Sequence, residues 1–189
     1  DDLYILGDVI DRNPYGIEIL KEIMATKNMH LLLGNHEFMM LNTFGIFVDG
    51  VKRDEQKCGE LWFYNHGDVT YHEFMKEDQK TQEEIIEFLK NLPLKFELEV
   101  NGQKFRLIHA ALEEDWKNNS EYLSSIEFAV WDREAMQLEH MKEYSPADRD
   151  IISIFGHTPV CNYGRDEVLN FTKDSFYMDG SNLYDIDCG

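Results

Sequence analysis

Four short apolar runs in this chain are each followed by a polar residue of a type that binds metal ions, and this pattern constrains the fold more than any other. Short apolar runs of this length are typical of buried β-strands. The residues that follow the runs are Gly7-Asp8, Gly34-Asn35-His36, His109 and Gly156-His157. Because open α/β sheets bind ligands at the carboxyl ends of their strands, we expect these side chains to converge on one region.

The first two runs flank a segment with helical periodicity. Four of its apolar residues recur at helical spacing: Ile17, Leu20, Ile23 and Met24. They predict an amphipathic helix over residues 14–26, with Asn13 as its N-cap and Pro14 at its first position. A strand, a helix and a second strand of these lengths form a βαβ unit, so the sequence predicts an α/β fold with a parallel sheet.

The middle of the chain, about residues 38–92, is mostly helical in its patterning. It is predicted to be a helical insert in a single α/β domain that spans residues 1–189. Within the insert, Thr81 begins a capping box at the start of a helix. Pro93 is predicted to stop that helix, because proline cannot continue it.

Two hairpins and one interrupted helix are predicted after the insert. Asn101-Gly102 separates two apolar runs, residues 94–100 and 103–108, and so predicts a β-hairpin with a two-residue turn. Asp179-Gly180 predicts a second hairpin turn. Residues 120–140 are predicted to be helical at both ends, with an interruption part-way along.

The composition excludes several classes of partner. The formal net charge of −19 repels nucleic-acid phosphates and anionic membranes, so neither is an expected partner. The chain has no run of roughly 18 apolar residues, which a membrane span needs, and it shows no basic-then-apolar signal at its start, so secretion is not expected. Cys58, Cys161 and Cys188 form no Cys-x-x-Cys pair, so free thiols in a reducing cytoplasm are expected. The sequence does not indicate an oligomeric state.

The residue types at the strand ends point to a metal centre. Asp, Asn and His are ligands that suit Mn, Fe or Zn rather than thiol-binding metals. Taken singly, each has an ordinary alternative: Asp8 could cap a turn, His109 could be a core or surface histidine, and His157 could shape a loop. Their shared placement favours the metal centre. The remaining histidines lack that placement: His30, His66, His72 and His140.

The same motifs resemble those of a known family. They are Gly7-Asp8-Val9-Ile10-Asp11-Arg12, Gly34-Asn35-His36-Glu37, His109-Ala110-Ala111 and Gly156-His157-Thr158-Pro159. In order and spacing they resemble the second to fifth signatures of the phosphoprotein phosphatases, in their bacterial and bacteriophage form, within the calcineurin-like metallophosphoesterases. The resemblance implies a four-layer α-β-β-α sandwich and a metal-dependent phosphomonoester hydrolase.

The resemblance also implies a ligand set for two divalent metal ions. Asp8 matches the carboxylate that bridges the two ions. Asn35, His109 and His157 match the other ligands of the second ion. Manganese is the favoured metal, with iron, zinc or nickel as alternatives. Two ions about 3.5–4 Å apart can hold a water and a phosphate oxygen together.

Four further residues receive roles from the resemblance. His36 matches the general acid that protonates the leaving oxygen, and Asp11 matches the carboxylate that orients His36. Arg12 and Arg133 match arginines that bind the phosphate, which suits their planar guanidinium groups. The ordinary alternatives are an Arg12–Asp11 salt bridge and a surface ion pair of Arg133 with Asp132 or Glu134.

The family's first signature, Gly-Asp-x-His-Gly, does not occur in residues 1–189. Its Asp and His hold the first metal, and we expect the strand and helix that carry it to be missing from the fold. Because the chain begins at Asp1 and stops abruptly at Gly189, we expect an N-terminally truncated fragment that is poorly active by itself. The alternative is a natural one-metal binding protein that does not turn over.

Two substrate classes are expected from the resemblance. Gly-Asp-x-x-Asp-Arg with Gly-Asn-His-Glu favours phosphoserine and phosphothreonine in proteins, so a serine/threonine protein phosphatase is the leading prediction. The alternative is a symmetric diadenosine tetraphosphate hydrolase. In either case the partner is a phosphoprotein or a small phosphoester, and the expected location is the cytoplasm.

Overall fold

A computed structural model describes residues 1–112, 122–133, 150–159, 170–171, 176–177 and 182–187. The chain divides into two compact units, Asp1–Pro93 and Leu94–Gly189. Both units mix helices with strands, so the predicted α/β class is confirmed.

The first unit opens with the predicted βαβ arrangement. Strand β1 (Leu3–Ile5), helix α1 (Gly16–Ala25) and strand β2 (Met29–Leu31) follow one another along the chain. The two strands pair in parallel, with Ile5 opposite Leu31. The parallel sheet predicted from the strand, helix and strand pattern is therefore confirmed in this unit.

The start of helix α1 differs from the prediction. The helix begins at Gly16, and its N-cap is Tyr15. The Asn13 side chain instead accepts a hydrogen bond from the Tyr15 amide at 2.9 Å, which makes a local turn before the helix. Gly16 lies so close to Ile10 that an added Cβ would be 2.9 Å from the Ile10 Cα. The first turn of the helix is therefore placed by packing against Ile10.

The predicted helical middle of the chain is confirmed, and it forms four helices. They are α2 (Asn35–Thr43), α3 (Glu55–Tyr64), α4 (Asp68–Phe74) and α5 (Gln79–Lys90). The capping prediction for α5 is wrong, because the Asp78 side chain accepts from the Thr81 amide and so caps the helix. Thr81 lies inside the first turn. The helix ends before Pro93, as predicted.

The core of the first unit is apolar and fully buried around these helices. Its largest buried side chains are Ile17, Leu20, Leu32, Phe38, Met40, Leu41, Trp62, Ile85 and Leu89. Helix α1 buries three of the four residues of the predicted face, Ile17, Leu20 and Ile23, while the fourth, Met24, is half-buried. Burial of each such side chain contributes on the order of 1.5–3 kcal/mol.

The second unit is built on a six-stranded sheet. Its strands are β3 (Lys95–Val100), β4 (Gln103–Ile108), β5 (Ile151–Phe155), β6 (Asn170–Phe171), β7 (Phe176–Tyr177) and β8 (Leu183–Asp185). Their order in the sheet is β3-β4-β5-β8-β7-β6, and β4, β5 and β8 run parallel to one another. The carboxyl ends of these three central strands therefore lie at the same edge of the sheet.

The first predicted hairpin is confirmed. Strands β3 and β4 pair in antiparallel register from Val100–Gln103 outward. Asn101 and Gly102 both have positive φ, 53° and 81°, which is the backbone that a two-residue hairpin turn requires. The Asp179-Gly180 turn lies outside the described residues.

One helix of the second unit is described. Helix α6 (Ser125–Trp131) is capped by the Ser124 side chain, which accepts from the Glu127 amide at 3.0 Å. Residues 134–149 lie outside the described part of the chain, so the predicted second helical end of the 120–140 segment is not tested. Cys58 is a free, half-buried thiol, and the other two cysteines lie outside the described residues.

Within the described residues, none of the helices combines the length and the apolar character that crossing a membrane requires.

A buried carboxyl group lies at the end of β8. Asp185 is inaccessible to solvent, and its Oδ1 accepts from the Asp187 amide at 2.9 Å. Its Oδ2 has no hydrogen-bond partner among the described residues. Burial raises the pKa of Asp185 to about 8, and the Asp187 charge adds to this while the Asp187 amide opposes it. The folded state therefore favours the protonated form.

Asp185→Asn should make the free energy of unfolding less dependent on pH. Because the folded pKa is raised above the unfolded value, Asp185 stabilises the fold at acid pH, and this is lost as pH rises from about 4 to about 8. Each pH unit in that window changes the free energy by up to about 1.4 kcal/mol. Asparagine stays neutral. Urea unfolding in EDTA at both ends of the window measures the difference, with the exposed Glu99→Gln as control. Equal pH dependence in Asp185→Asn and the unmodified chain would contradict the assignment.

Candidate active site

The carboxylate of Asp8 lies at the amino end of helix α2 in the first unit. Its Oδ1 accepts from the His36 amide at 3.2 Å. The amino end of a helix favours an anion, because its amide groups point outward with no helical partner. Gly34 permits this approach, since a Cβ there would collide with Asp8 Oδ1 and lie 2.6 Å from the Asp8 amide nitrogen. The first unit therefore brings Asp8, Asn35 and His36 together at the ends of β1 and β2.

Glu37 holds these two strand ends together, although the sequence motif alone assigned it no role. Its Oε2 accepts from the amides of Asp8 and Gly34 at 2.9 and 3.0 Å, and its Oε1 accepts from the Val9 amide at 2.9 Å. Glu37 is inaccessible to solvent. The signal that could have identified it is its place at the third position of α2, where a glutamate often accepts from the N-cap amide.

The charge state of Glu37 reflects its surroundings. Burial raises its pKa to about 7, and the nearby Asp8 carboxylate adds to the rise. Hydrogen bonds from the backbone amides and the charge of His36 oppose it. Two carboxyl groups so close together in a buried site repel each other unless amides, a cation or a metal ion compensates for their charge.

His36 and Asp11 form a buried pair in the first unit. The His36 Nδ1–H donates to Asp11 Oδ2 at 2.6 Å, and both side chains are almost fully buried. Burial alone lowers the pKa of His36, but the hydrogen bond to Asp11 and the charges of Asp8, Asp11 and Glu37 outweigh it. The net effect is a raised pKa, which favours the protonated imidazolium.

Asp11 is held by two residues of the helical segment that sequence reasoning did not single out. The Trp62 indole Nε1–H donates to Asp11 Oδ2 at 2.8 Å. The Asp11 amide donates to Thr70 Oγ1 at 2.8 Å. Nothing in the local sequence pattern identifies these contacts, because they join residues 51 and 59 positions apart.

Arg12 lies beside the ring nitrogen of His36 that does not bond to Asp11. Its Nη2 is 3.4 Å from His36 Nε2, and its amide donates to the His66 carbonyl at 3.2 Å. The alternative expected for Arg12 was a salt bridge to Asp11, and the described residues show no such pair. The guanidinium is exposed, so it can reach a bound anion.

The second unit places His109 and His157 side by side. They follow β4 and β5, and His109 Nε2 lies 3.2 Å from His157 Nδ1. Two imidazole nitrogens at this separation either share one proton or face one ion. Nitrogens that each lie about 2.1 Å from one ion are roughly 3.0–3.4 Å apart, so the pair fits a shared metal ion.

Arg133 follows helix α6 in the same unit. Its Nη1 donates to Thr158 Oγ1 at 2.9 Å, and the same nitrogen lies 3.5 Å from the His157 carbonyl oxygen. Arg133 makes this contact with the residue after His157 rather than the ion pair considered with Asp132, and Glu134, the other partner considered, lies outside the described residues. The side chain remains exposed.

Left-handed backbone conformations coincide with the predicted site. Among the described non-glycine residues, φ is positive at Asp8, Asp11, Arg12, His66, Asn101 and His157. Four of these six are predicted site residues, and Asn101 is in the hairpin turn. Such conformations cost on the order of 1–3 kcal/mol each and persist where surrounding contacts impose them, often at functional sites.

The calcineurin-like phosphoesterase family profile matches residues 1–179 of the chain. The chain belongs to this family. A symmetrical bis(5'-nucleosyl)-tetraphosphatase of Delftia acidovorans is 26% identical over 120 residues, which cover 62% of this chain and 37% of that protein. The enzyme of the same name from Acidovorax ebreus is 25% identical over 150 residues, which cover 77% of this chain and 47% of that protein.

The chain thus spans less than half the length of the curated relatives it matches. Among solved structures, a hypothetical protein, PH1004 of Pyrococcus horikoshii OT3, aligns with 97% of this chain and 62% of its own, at 11% identity and a TM-score of 0.49. At that level the likeness is not evidence for function. The family implies divalent metal ions, and the residue types gathered at the strand ends of each unit are suitable ligands.

Glu37→Gln should weaken both the fold and metal binding. Glutamine has only one acceptor oxygen, so its NH₂ group would face a backbone N–H that now donates to Glu37. The lost hydrogen bond should lower the free energy of unfolding by about 1–3 kcal/mol. Urea unfolding in EDTA measures the first effect, and Mn²⁺ titration measures the second. Glu84→Gln, an exposed change on α5, is the control and should alter neither. A Glu37→Gln protein with unchanged stability would show that the three backbone contacts do not hold the strand ends.

Proposed function

We propose that the protein hydrolyses phosphate esters with the help of two divalent metal ions, and that His36 protonates the leaving oxygen. The observation that supports this most directly is the buried His36–Asp11 pair, with Arg12 Nη2 3.4 Å from the other ring nitrogen, His36 Nε2. This arrangement supplies a proton donor and an anion-binding group side by side.

The proposed metal ligands are Asp8, Asn35, His109 and His157. Asp8 suits a bridging position because a carboxylate has two oxygens, and Asn35 adds a neutral oxygen that limits the negative charge. When bound, the ions would supply an activated water and polarise a phosphate oxygen. The 3.2 Å separation of the two imidazole nitrogens supports the two histidines as ligands of one ion.

His36 acts at the other end of the reaction. As the water oxygen bonds to phosphorus, the bond from phosphorus to the leaving oxygen breaks, and that oxygen takes the proton from His36 Nε2. Asp11 accepts the Nδ1–H bond throughout, which orients the ring and stabilises the imidazolium before transfer. The buried setting strengthens this electrostatic effect.

Arg12 and Arg133 are proposed to bind the phosphate. Their guanidinium groups are exposed and can each donate two hydrogen bonds to phosphate oxygens. They also supply local positive charge in a chain of net charge −19, which otherwise repels an anionic substrate. Arg133 is placed by Thr158.

The substrate class is proposed at two levels. A phosphoester is expected from the family. The names of the relatives favour dinucleoside tetraphosphates as the finer class, at 25–26% identity. The Gly-Asp-x-x-Asp-Arg and Gly-Asn-His-Glu motifs favour phosphoserine and phosphothreonine in proteins. Both remain proposals for the full-length protein.

His36→Asn should reduce turnover about 10²–10⁴-fold while leaving the metal content nearly unchanged, because it removes a proton donor and no proposed metal ligand. Steady-state rates on an alkyl phosphate and elemental analysis of the full-length protein measure the two effects. His72→Asn, on α4, is the histidine control. Full activity of His36→Asn on a substrate with a poor leaving group would refute the assigned role.

His109→Ala or His157→Ala should lower metal occupancy, because each change removes one imidazole from the pair. Elemental analysis after gel filtration, or Mn²⁺ titration, reports the occupancy. His140→Ala is a suitable control, since that histidine follows none of the predicted strands. Undiminished occupancy in both variants would exclude the pair as ligands.

Side-by-side assays should identify the substrate class. With Mn²⁺, the full-length protein is tested on a phosphoserine peptide and on diadenosine tetraphosphate at equal concentrations. Preferential release of nucleoside diphosphate supports the dinucleotide class and excludes the protein phosphatase proposal. Preferential release of inorganic phosphate from the peptide supports the protein phosphatase proposal and excludes the dinucleotide class.

A further inference from the structure

We propose that Trp62, on helix α3, is a positioning residue that fixes the Asp11 carboxylate and, through it, the His36 ring. The inference rests on the proposed role of His36 as proton donor. It gives a role in catalysis to a residue of the helical segment, which lies outside the Gly34-Asn35-His36-Glu37 motif.

One oxygen atom of Asp11 receives both donors. Asp11 Oδ2 accepts from His36 Nδ1 at 2.6 Å and from Trp62 Nε1 at 2.8 Å. Trp62 is inaccessible to solvent, so its indole N–H has no access to bulk water as an alternative partner. With two donors on Oδ2, rotation of the carboxylate about its Cβ–Cγ bond would break both hydrogen bonds.

The same segment also holds the backbone of the Asp11-Arg12 pair. Thr70, at the start of α4, accepts from the Asp11 amide at 2.8 Å, and the His66 carbonyl accepts from the Arg12 amide at 3.2 Å. Asp11 and Arg12 have φ of 74° and 63°, values that residues other than glycine rarely adopt. These contacts supply the constraint that keeps both residues in that conformation.

Gly67 determines where the indole lies. A Cβ at this position would collide with the indole atoms of Trp62, including Nε1. The Gly67 amide also donates to the Trp62 carbonyl at 2.9 Å. A methyl group at Gly67 would therefore displace the indole from its present place beside Asp11 without removing its N–H.

Packing alone does not require a tryptophan here. The ring lies against Phe44, Phe63 and Tyr71, with centroids about 6 Å away, and phenylalanine could fill much of the same aromatic cluster. What phenylalanine lacks is the donor to Asp11. Without it, Asp11 loses one of the two bonds that hold its carboxylate plane, and the His36 ring loses a fixed partner.

Trp62→Phe and Gly67→Ala test the proposal together. Trp62→Phe removes the donor, and Gly67→Ala displaces it. Gly59→Ala, in the same helix α3, is the matched control, because a Cβ there makes only an ordinary 3.5 Å contact with Thr43. Each protein is examined by the imidazole and indole N–H signals in nuclear magnetic resonance and by leaving-group dependence of the full-length enzyme.

The expected result has two parts. In the unmodified chain, the His36 Nδ1–H and the Trp62 Nε1–H signals are both protected from solvent exchange, and both test variants shift the His36 signal and speed its exchange. In the enzyme, they reduce turnover of an alkyl phosphate at least about 10-fold more than that of p-nitrophenyl phosphate, which needs no proton donor. Gly59→Ala changes neither.

Several outcomes overturn the proposal. One is a Trp62 indole proton that, in the unmodified chain, exchanges with solvent as fast as an exposed indole proton. This measurement does not depend on whether a variant folds. Another is an unchanged His36 signal in a folded Gly67→Ala or Trp62→Phe protein, and a third is an equal loss on both substrates. By contrast, a fully active His36→Asn enzyme together with shifted signals would refute the proposed function and leave the Trp62–Asp11–His36 contacts intact.

Discussion

The first unit depends on one buried carboxylate that is not itself among the proposed ligands. Glu37 accepts hydrogen bonds from the amides of Gly34, Asp8 and Val9, which belong to the segments that follow two different strands. These amides lie beyond Ile5 and Leu31, the last paired residues of the two strands, so the strand pairing itself does not satisfy them. By accepting all three, Glu37 fixes the distance between the ends of β1 and β2. That distance in turn sets where Asp8 and His36 lie, because each of them follows one of the two strands.

Charge is the second constraint on this unit. Asp8, Asp11 and Glu37 bring three carboxyl groups close to His36 in an acidic chain, and of the three Asp11 and Glu37 are buried while Asp8 is half-buried. The surroundings compensate in different ways: backbone amides for Glu37, an imidazole and an indole for Asp11, and the amino end of α2 for Asp8. A metal ion at Asp8 would complete this compensation, since a divalent cation is the largest local charge such a site can hold.

Close approach and left-handed backbone supply the geometry. Gly34 lets α2 begin against Asp8, and Gly67 lets α4 begin against Trp62, because a Cβ at either position would collide. Asp8, Asp11, Arg12 and His157 all adopt positive φ, a backbone conformation that non-glycine residues rarely adopt. The energetic cost is met by hydrogen bonds from distant parts of the chain, as with Thr70 and His66.

The sequence by itself determined the α/β class, the parallel pairing of β1 with β2, the β3–β4 hairpin and the residues that stand at the strand ends. It could do so because periodicity, turn residues and strand-end motifs each depend only on residues that are close together in the sequence. The helix starts were harder to predict from the sequence. Helix α1 begins at Gly16 because of packing against Ile10, and α5 begins where the Asp78 side chain caps it. Only the tertiary structure decided the roles of Glu37, Trp62, Thr70 and Gly67. Their partners lie 28 to 59 residues away, apart from the short contacts of Glu37 with Gly34 and of Gly67 with Trp62, and no local pattern encodes such a distance.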